Sequence, residues 1–137
     1  MSIEENNKML VCRAYELINQ KKVEAAWDYF ASECVCHIPD GDMSVKQTKD
    51  LDAMLFSAFP DYNLTIVDII AEGDKVSFRV NLKGTNTGEM MGNPPTGNKV
   101  DITNSNWVRI VDNKIVELWV TMDRLSMIQQ LGAIPSQ

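Results

Sequence analysis

The sequence predicts an α+β fold in one domain that spans residues 1–137. Helical stripes of apolar residues occupy the N-terminal part, alternating strand patterns occupy most of the remainder, and tight-turn residues join successive strands. Strands joined by tight turns pair antiparallel, and the apolar face of such a sheet must be covered by helices. We therefore expect a bent antiparallel sheet wrapped over about three helices, with a short C-terminal helix and a cone-shaped apolar interior.

The N-terminal part is predicted to contain three helices and one strand. The second helix is short and buries Trp27, and residues 33–38 form the strand. Pro60 ends the third helix. Capping boxes start the first and the third helix, Ser2 with Glu5 and Ser44 with Gln47.

The C-terminal part is predicted to contain two hairpins and a helix. Gly73 and Asp74 suit the turn of the first hairpin, and Asp112 and Asn113 suit the turn of the second. A long loop over residues 84–98 separates the hairpins, and its length is typical of lids and binding loops as well as of exposed flaps. The strands are expected at residues 62–72, 76–83, 100–111 and 114–122, and the helix at 124–131, with Gly132 as its C-cap and Pro135 beyond it.

Composition argues against several function classes. The chain has 13 basic and 19 acidic residues, a net charge of −6, and it lacks a basic block. We therefore expect no binding to nucleic acid or to anionic lipid. No apolar run approaches the roughly 20 residues of a membrane helix, and the acidic, polar N-terminus does not resemble a signal peptide. A cytoplasmic protein is the expectation.

Cysteine and histidine usage argues against a zinc site. The chain has three cysteines, and because this number is odd we interpret them as reduced thiols. His37 is its single histidine. Without a CxxC pair, the usual zinc ligand sets cannot form. We expect Cys34 and Cys36 to be buried structural residues rather than nucleophiles.

Asp123 is the first candidate for chemistry. It closes the last predicted strand, and burial there would raise its pKa, as a general acid or base working near neutrality requires. It also directly precedes the last helix, where Asp is a preferred N-cap. Both interpretations remain open at this stage.

Asn104 and Asn106 alternate along the preceding strand. If Asp112 and Asn113 form a two-residue turn, both amides share a sheet face with Trp119 and Asp123, and they could hydrogen-bond a carbonyl or enolate oxygen. The alternative is that this face meets solvent, and a β-bulge would reverse the assignment.

His37 ends the first strand and could exchange a proton with a substrate or with Asp123, although a lone histidine is often structural. Tyr15 could point its hydroxyl into a cavity, and Trp27 is interpreted as pocket wall or core.

Four segments carry a resemblance to a known family. They are residues 59–62 (Phe-Pro-Asp-Tyr), residues 71–76 (Ala-Glu-Gly-Asp-Lys-Val), the loop 84–97, and the tail that includes residues 109–119, Asp123 and residues 130–132. In these segments the sequence resembles the SnoaL-like polyketide cyclases of the NTF2-like superfamily.

The resemblance implies a cone-shaped α+β barrel with a deep apolar pocket, which is usually a homodimer packed through its sheet. It also implies intramolecular aldol ring closure without metal or organic cofactor, with Asp123 as the acid/base. Many relatives carry His where this loop has Asn86. If that histidine assists the chemistry, this protein either uses His37 instead or lacks cyclase activity. The hypothesis assigns catalysis to Asp123, His37 and Asn106, and binding of a small apolar or polyketide-like ligand to Tyr15, Trp27, Phe59, Asn86, Met90, Asn104 and Trp119.

Two other functions stay open at the sequence level. A non-catalytic module could bind a small apolar ligand or a partner protein, because folds of this kind support both roles. Another cofactor-free isomerase or hydrolase could use the same pocket. A carboxylate with convergent donors inside the cavity would favour an enzyme.

Overall fold

The computed structural model describes residues 2–90 and 92–132. Its helices are α1 (Ile3–Asn19), α2 (Val23–Trp27), α3 (Val45–Ala58) and α4 (Arg124–Leu131). Its strands are β1 (Phe30–Ile38), β2 (Gly41–Met43), β3 (Asn63–Glu72), β4 (Lys75–Thr85), β5 (Lys99–Val111) and β6 (Lys114–Thr121). The predicted α+β class is confirmed.

The helix ends follow from local chemistry. Ser2 caps α1 by accepting from the Glu5 N–H, and Ser44 and Gln47 form a complete capping box at α3. Gly132 ends α4 at a φ of 82°, a left-handed conformation that glycine adopts without strain. Pro135, predicted beyond this helix, lies outside the described residues.

The strands form one six-stranded sheet in the order β2-β1-β6-β5-β4-β3. Neighbours pair antiparallel except β1 and β6, which are parallel. The sequence prediction missed this parallel pair, because β1 and β6 are far apart in the chain and no turn signal relates them. It also missed β2, whose three residues pair with the end of β1.

The inner face of the sheet carries the core. Alternate residues of β4, Val76, Phe78, Val80 and Leu82, are buried as predicted. One cluster packs Val76, Phe78 and Val80 against α1 and α2, and a second, which includes Leu82, joins the end of α3 to α4. Within the described residues, none of the helices is long and apolar enough to span a membrane.

Candidate functional site

A cavity of about 120 Å³ lies between the helices and the inner face of the sheet. Residues of both core clusters line it, so it lies where the clusters meet. Most of its wall is apolar. Polar or ionisable side chains also reach the wall, and they are Tyr15, Trp27, Cys36, Thr48, Asp52, Tyr62, Asn104 and Asn106.

Two polar atoms of this wall have no partner. Among the described residues, the Trp27 indole Nε1 and the Asn106 Oδ1 are buried and make no hydrogen bond. The other end of the Asn106 amide is fixed, since its Nδ2 donates to the Tyr15 hydroxyl at 3.2 Å. Leaving a buried polar atom unpaired costs about 1–3 kcal/mol. The cavity therefore offers a free donor and a free acceptor to whatever enters it.

Asp52 places a carboxyl on the same wall. It lies in the middle of α3, on the stripe that also brings Thr48, Leu51, Leu55 and Phe56 to the cavity. Burial raises the pKa of its carboxyl from the ordinary 3.8 to about 7.

The neighbouring Trp27 N–H opposes this rise in the pKa of Asp52 only in part. This N–H lies near the carboxyl but makes no hydrogen bond with it, so it remains a free donor. The cavity consequently contains a carboxyl that ionises near neutral pH rather than near the ordinary 3.8.

Both asparagines of β5 face the cavity, but not together with Trp119. A bulge between Arg109 and Ile110 shifts the register of β5 on β6, so that Asn106 pairs with Val120 rather than with Trp119. The prediction that Asn104 and Asn106 share a sheet face with Trp119 and Asp123 is therefore wrong. Trp119 points to the outer face of the sheet, where its ring stacks on His37 with centroids 5.1 Å apart.

Asp123 lies at the N-cap of α4 and is exposed. Its carboxylate accepts from the Ser126 N–H at 3.2 Å and from the Ser126 hydroxyl at 2.8 Å. Its own backbone N–H donates to the Asn104 Oδ1 at 3.2 Å. The structure thus places Asp123 as a helix cap next to a cavity residue rather than on the cavity wall, and its assignment as the acid/base stays a prediction.

His37 takes part in a charged network on the outer face. Its Nδ1 lies 2.6 Å from Asp42, and its Nε2 lies 2.9 Å from Glu117, which also accepts from Arg109 at 2.9 Å. The hydrogen bond to Glu117, followed by that to Asp42, raises the pKa of His37. The sheet separates His37 from the cavity, and its proposed part in catalysis stays untested.

Three residues expected in the pocket are used elsewhere. Phe59 is fully buried in the second cluster, against Gly84. Met90 packs beside the same cluster. Asn86 organises the loop over residues 86–98: its Nδ2 donates to the Ala58 and Gly88 carbonyls, and its Oδ1 accepts from the backbone and the hydroxyl of Thr96. These three residues do not line the cavity.

The loop itself is anchored to the end of α3. The Gly88 N–H donates to the Ala58 carbonyl at 3.1 Å. A Cβ at this position would come within 1.9 Å of the Ser57 carbonyl oxygen, so only glycine fits the contact. Within the described residues, no group of three or more His, Cys, Asp or Glu side chains is arranged to hold a metal ion.

Sequence reasoning missed Asp52, although the sequence contains a signal for it. The apolar residues of α3 predict its stripe, and Asp52 lies three positions before Leu55 and four after Thr48. That spacing puts all three on one helix face. A carboxylate on the apolar face of a predicted helix is unusual enough to mark a candidate site.

A comparison with protein families decides the identity of the fold. The SnoaL-like polyketide cyclase profile matches residues 8–131. The chain belongs to this SnoaL-like family. Among curated proteins, none matches the chain significantly.

Two solved structures illustrate how similar this SnoaL-like chain is to its relatives. AclR of Streptomyces galilaeus, for which a hydroxylase activity has been suggested, is 28% identical with a TM-score of 0.91, covering 98% of this chain and 85% of AclR. IdmH of Streptomyces antibioticus, for which a polyketide cyclase activity has been suggested, is 29% identical with a TM-score of 0.82, covering 92% of this chain and 98% of IdmH. The two relatives are linked to different reactions, so family membership leaves the reaction of this chain open.

Proposed function

We propose that this SnoaL-like protein binds a small, largely apolar, polyketide-like ligand in the cavity and closes a ring in it by cofactor-free acid/base catalysis. The observation that supports this best is the pair of unpartnered buried atoms, the Trp27 Nε1 donor and the Asn106 Oδ1 acceptor. A ligand that carries a carbonyl and a hydroxyl would satisfy both, and their desolvation cost would be recovered on binding.

An intramolecular aldol closure makes three demands on the site. A base removes a proton alpha to a carbonyl, a donor stabilises the enolate oxygen, and the walls hold the enolate carbon against the second carbonyl. Orientation alone can lower the barrier by roughly 7–11 kcal/mol. The free Trp27 N–H is suited to the enolate oxygen, and the apolar lining is suited to the folding of the chain.

The size of the cavity limits the buried part of the ligand. A cavity of roughly 150 Å³ is known to bind benzene, and this one measures about 120 Å³. We therefore expect about one ring of the ligand to lie inside, with any further rings extending through the mouth.

The test is turnover of a panel of aromatic β-keto methyl esters, followed by chromatography for cyclised products of unchanged mass. We expect product above the protein-free background, and loss of most of it in Asn106→Leu. Asn81→Leu is the matched control. Asn81 lies on the neighbouring strand β4, and its side chain hydrogen-bonds Asp101 and does not line the cavity. Absence of product with every ester, together with absence of binding, would refute the proposal.

A binding module without turnover is the second candidate. The helix-capping geometry of Asp123 favours it, because a carboxylate engaged by Ser126 is poorly placed to move a substrate proton. Titration of the same esters by calorimetry separates the two. Binding at a fixed stoichiometry with no chemical change would favour the module.

We also propose a homodimer packed through the outer face of the sheet. A row of neighbours crosses this face, from Ile70 through Ser77, Trp107 and Trp119 to His37. Ile70 and Trp107 are 66% and 48% exposed, and exposed apolar groups of this size are typical of interfaces. Light scattering should give a dimer mass for the wild type and a monomer mass for Trp107→Glu, while Leu125→Glu on α4 stays dimeric.

The free state of Cys12, Cys34 and Cys36 agrees with the proposed cytoplasmic location, where thiols stay reduced.

A further inference from the structure

Asp52 is unusual in its position. Its carboxyl lies in the middle of α3, on the stripe that faces an apolar cavity, so it cannot cap the helix. Burying a carboxyl there costs the free energy of its hydration. No basic side chain among the described residues offsets that cost, because burial and the Trp27 N–H account for the change in its ionisation. A structural role therefore gives no reason for an acid at this position.

The groups that surround Asp52 come from three different elements and from the segment that precedes β3. Tyr15 of α1 and Cys36 of β1 lie close enough to Asp52 for its charge to oppose their deprotonation, and so does Tyr62, which precedes β3. Trp27 of α2 contributes the free indole N–H. Burial raises the pKa of both tyrosine hydroxyls, so they stay protonated near neutrality. Two groups of this set ionise near neutrality: the Asp52 carboxyl and the Cys36 thiol, whose pKa the hydrogen bond with Cys34 lowers to about 7. The Cys36 thiol is engaged by Cys34 and Thr48, which leaves Asp52 as the group suited to exchange a proton with a ligand.

We propose that the Asp52 carboxyl takes the substrate proton in this cavity and returns it, with the Trp27 N–H as the donor to the developing oxyanion. The inference rests on the proposed function, and it assigns to Asp52 the acid/base role that the family resemblance gave to Asp123. Asp123 is exposed and already accepts two hydrogen bonds from Ser126, whereas Asp52 lines the cavity.

The reaction balances without an oxidant, a reductant or a second substrate. The Asp52 carboxylate removes a proton alpha to one carbonyl, and the C–H electrons form the enolate. The enolate carbon attacks the second carbonyl, a C–C bond forms, and the electrons of that C=O bond move to its oxygen. The protonated Asp52 then gives the proton to this alkoxide, so that substrate and product are isomers.

The test uses a base-sensitive probe, 5-nitrobenzisoxazole, rather than the unidentified substrate. A base removes the C3 proton, the C–H electrons form the nitrile, the N–O bond breaks, and a coloured cyanophenolate leaves. The wild-type protein should convert the probe faster than acetate does at the same carboxylate concentration. The rate should rise with pH through a midpoint near the pKa of about 7 of Asp52.

Asp52→Asn should lower this rate by about 10²-fold or more, which is the usual contribution of a general base. Trp27→Phe should lower it by a smaller factor. Asp50→Asn is the matched control, since Asp50 lies two residues away on α3, 74% exposed, and should leave the rate unchanged. Circular dichroism of each variant shows that the fold is retained.

Three results would overturn the proposal: a wild-type rate no higher than that of acetate, a folded Asp52→Asn variant with the wild-type rate, or a loss of rate in Asp123→Asn but not in Asp52→Asn. The proposed ring closure is assayed separately on β-keto esters. Conversion of the esters without base activity on the probe would reject Asp52 alone, and base activity without ester turnover would reject the ring closure alone.

Discussion

Replacing Asp52 by Asn should stabilise the protein above pH 7 and change its stability little near pH 4. Burial keeps the carboxyl protonated in the folded protein up to a pKa of about 7, whereas in the unfolded chain it ionises near 3.8. Between these values the unfolded state has released a proton that the folded state still holds. The free energy of unfolding therefore falls as the pH rises through this window.

The size of the effect follows from the two pKa values. At about 1.4 kcal/mol per pH unit, a window of about three units corresponds to roughly 4 kcal/mol. The Asn side chain does not ionise, so the free energy of unfolding of the variant does not fall over this pH window. Other carboxyls with shifted pKa values, such as those of Asp61 and Glu117, are present in both proteins and cancel in the difference.

Urea denaturation of the wild type and Asp52→Asn at unit steps from pH 4 to pH 8 measures this difference. We expect it to grow in favour of the variant up to about pH 7 and then to level off, with an unchanged dependence on urea. Asp50 is exposed on the same helix, so Asp50→Asn should have the same free energy of unfolding as the wild type at every pH. If the stability difference between the wild type and Asp52→Asn stays constant with pH, the reasoning that Asp52 is buried without a compensating charge is refuted.

Three further predictions follow from single contacts. Asn86→Ala removes the bonds that organise the loop over residues 86–98, and denaturant unfolding should show a loss of about 2–4 kcal/mol. His37 gives one NMR titration, because it is the only histidine; its pKa should lie above 6.5 and fall in Glu117→Gln. Trp27→Phe removes a buried donor that has no partner, so thermal unfolding should show no loss of stability beyond that of the smaller ring.

Most of the fold could be predicted because its signals are local. Ser44 with Gln47 gives the start of α3, and the Asp112-Asn113 turn, with both residues at positive φ, gives the hairpin of β5 and β6. The parallel pairing of β1 with β6 could not be predicted, since it depends on how the whole sheet closes rather than on any turn.

The site was harder to predict, because one residue in one strand decides which side chains meet. The bulge between Arg109 and Ile110 adds a residue to β6 and reverses the face of every later side chain, which separates Asn106 from Trp119. Burial likewise raises the pKa of Asp52, and this burial depends on how α3 packs against the sheet. Sequence periodicity indicated which face of α3 is apolar but not that a cavity lies against it.

The most direct measurement is a carboxyl ¹³C NMR titration of the wild-type protein, with the Asp52 resonance assigned by its absence in Asp52→Asn. We expect that resonance to titrate with a midpoint of about 7. A midpoint near 3.8, the ordinary value for Asp, would show that Asp52 is ionised and solvated at neutral pH and would contradict its role as the acid/base of the cavity.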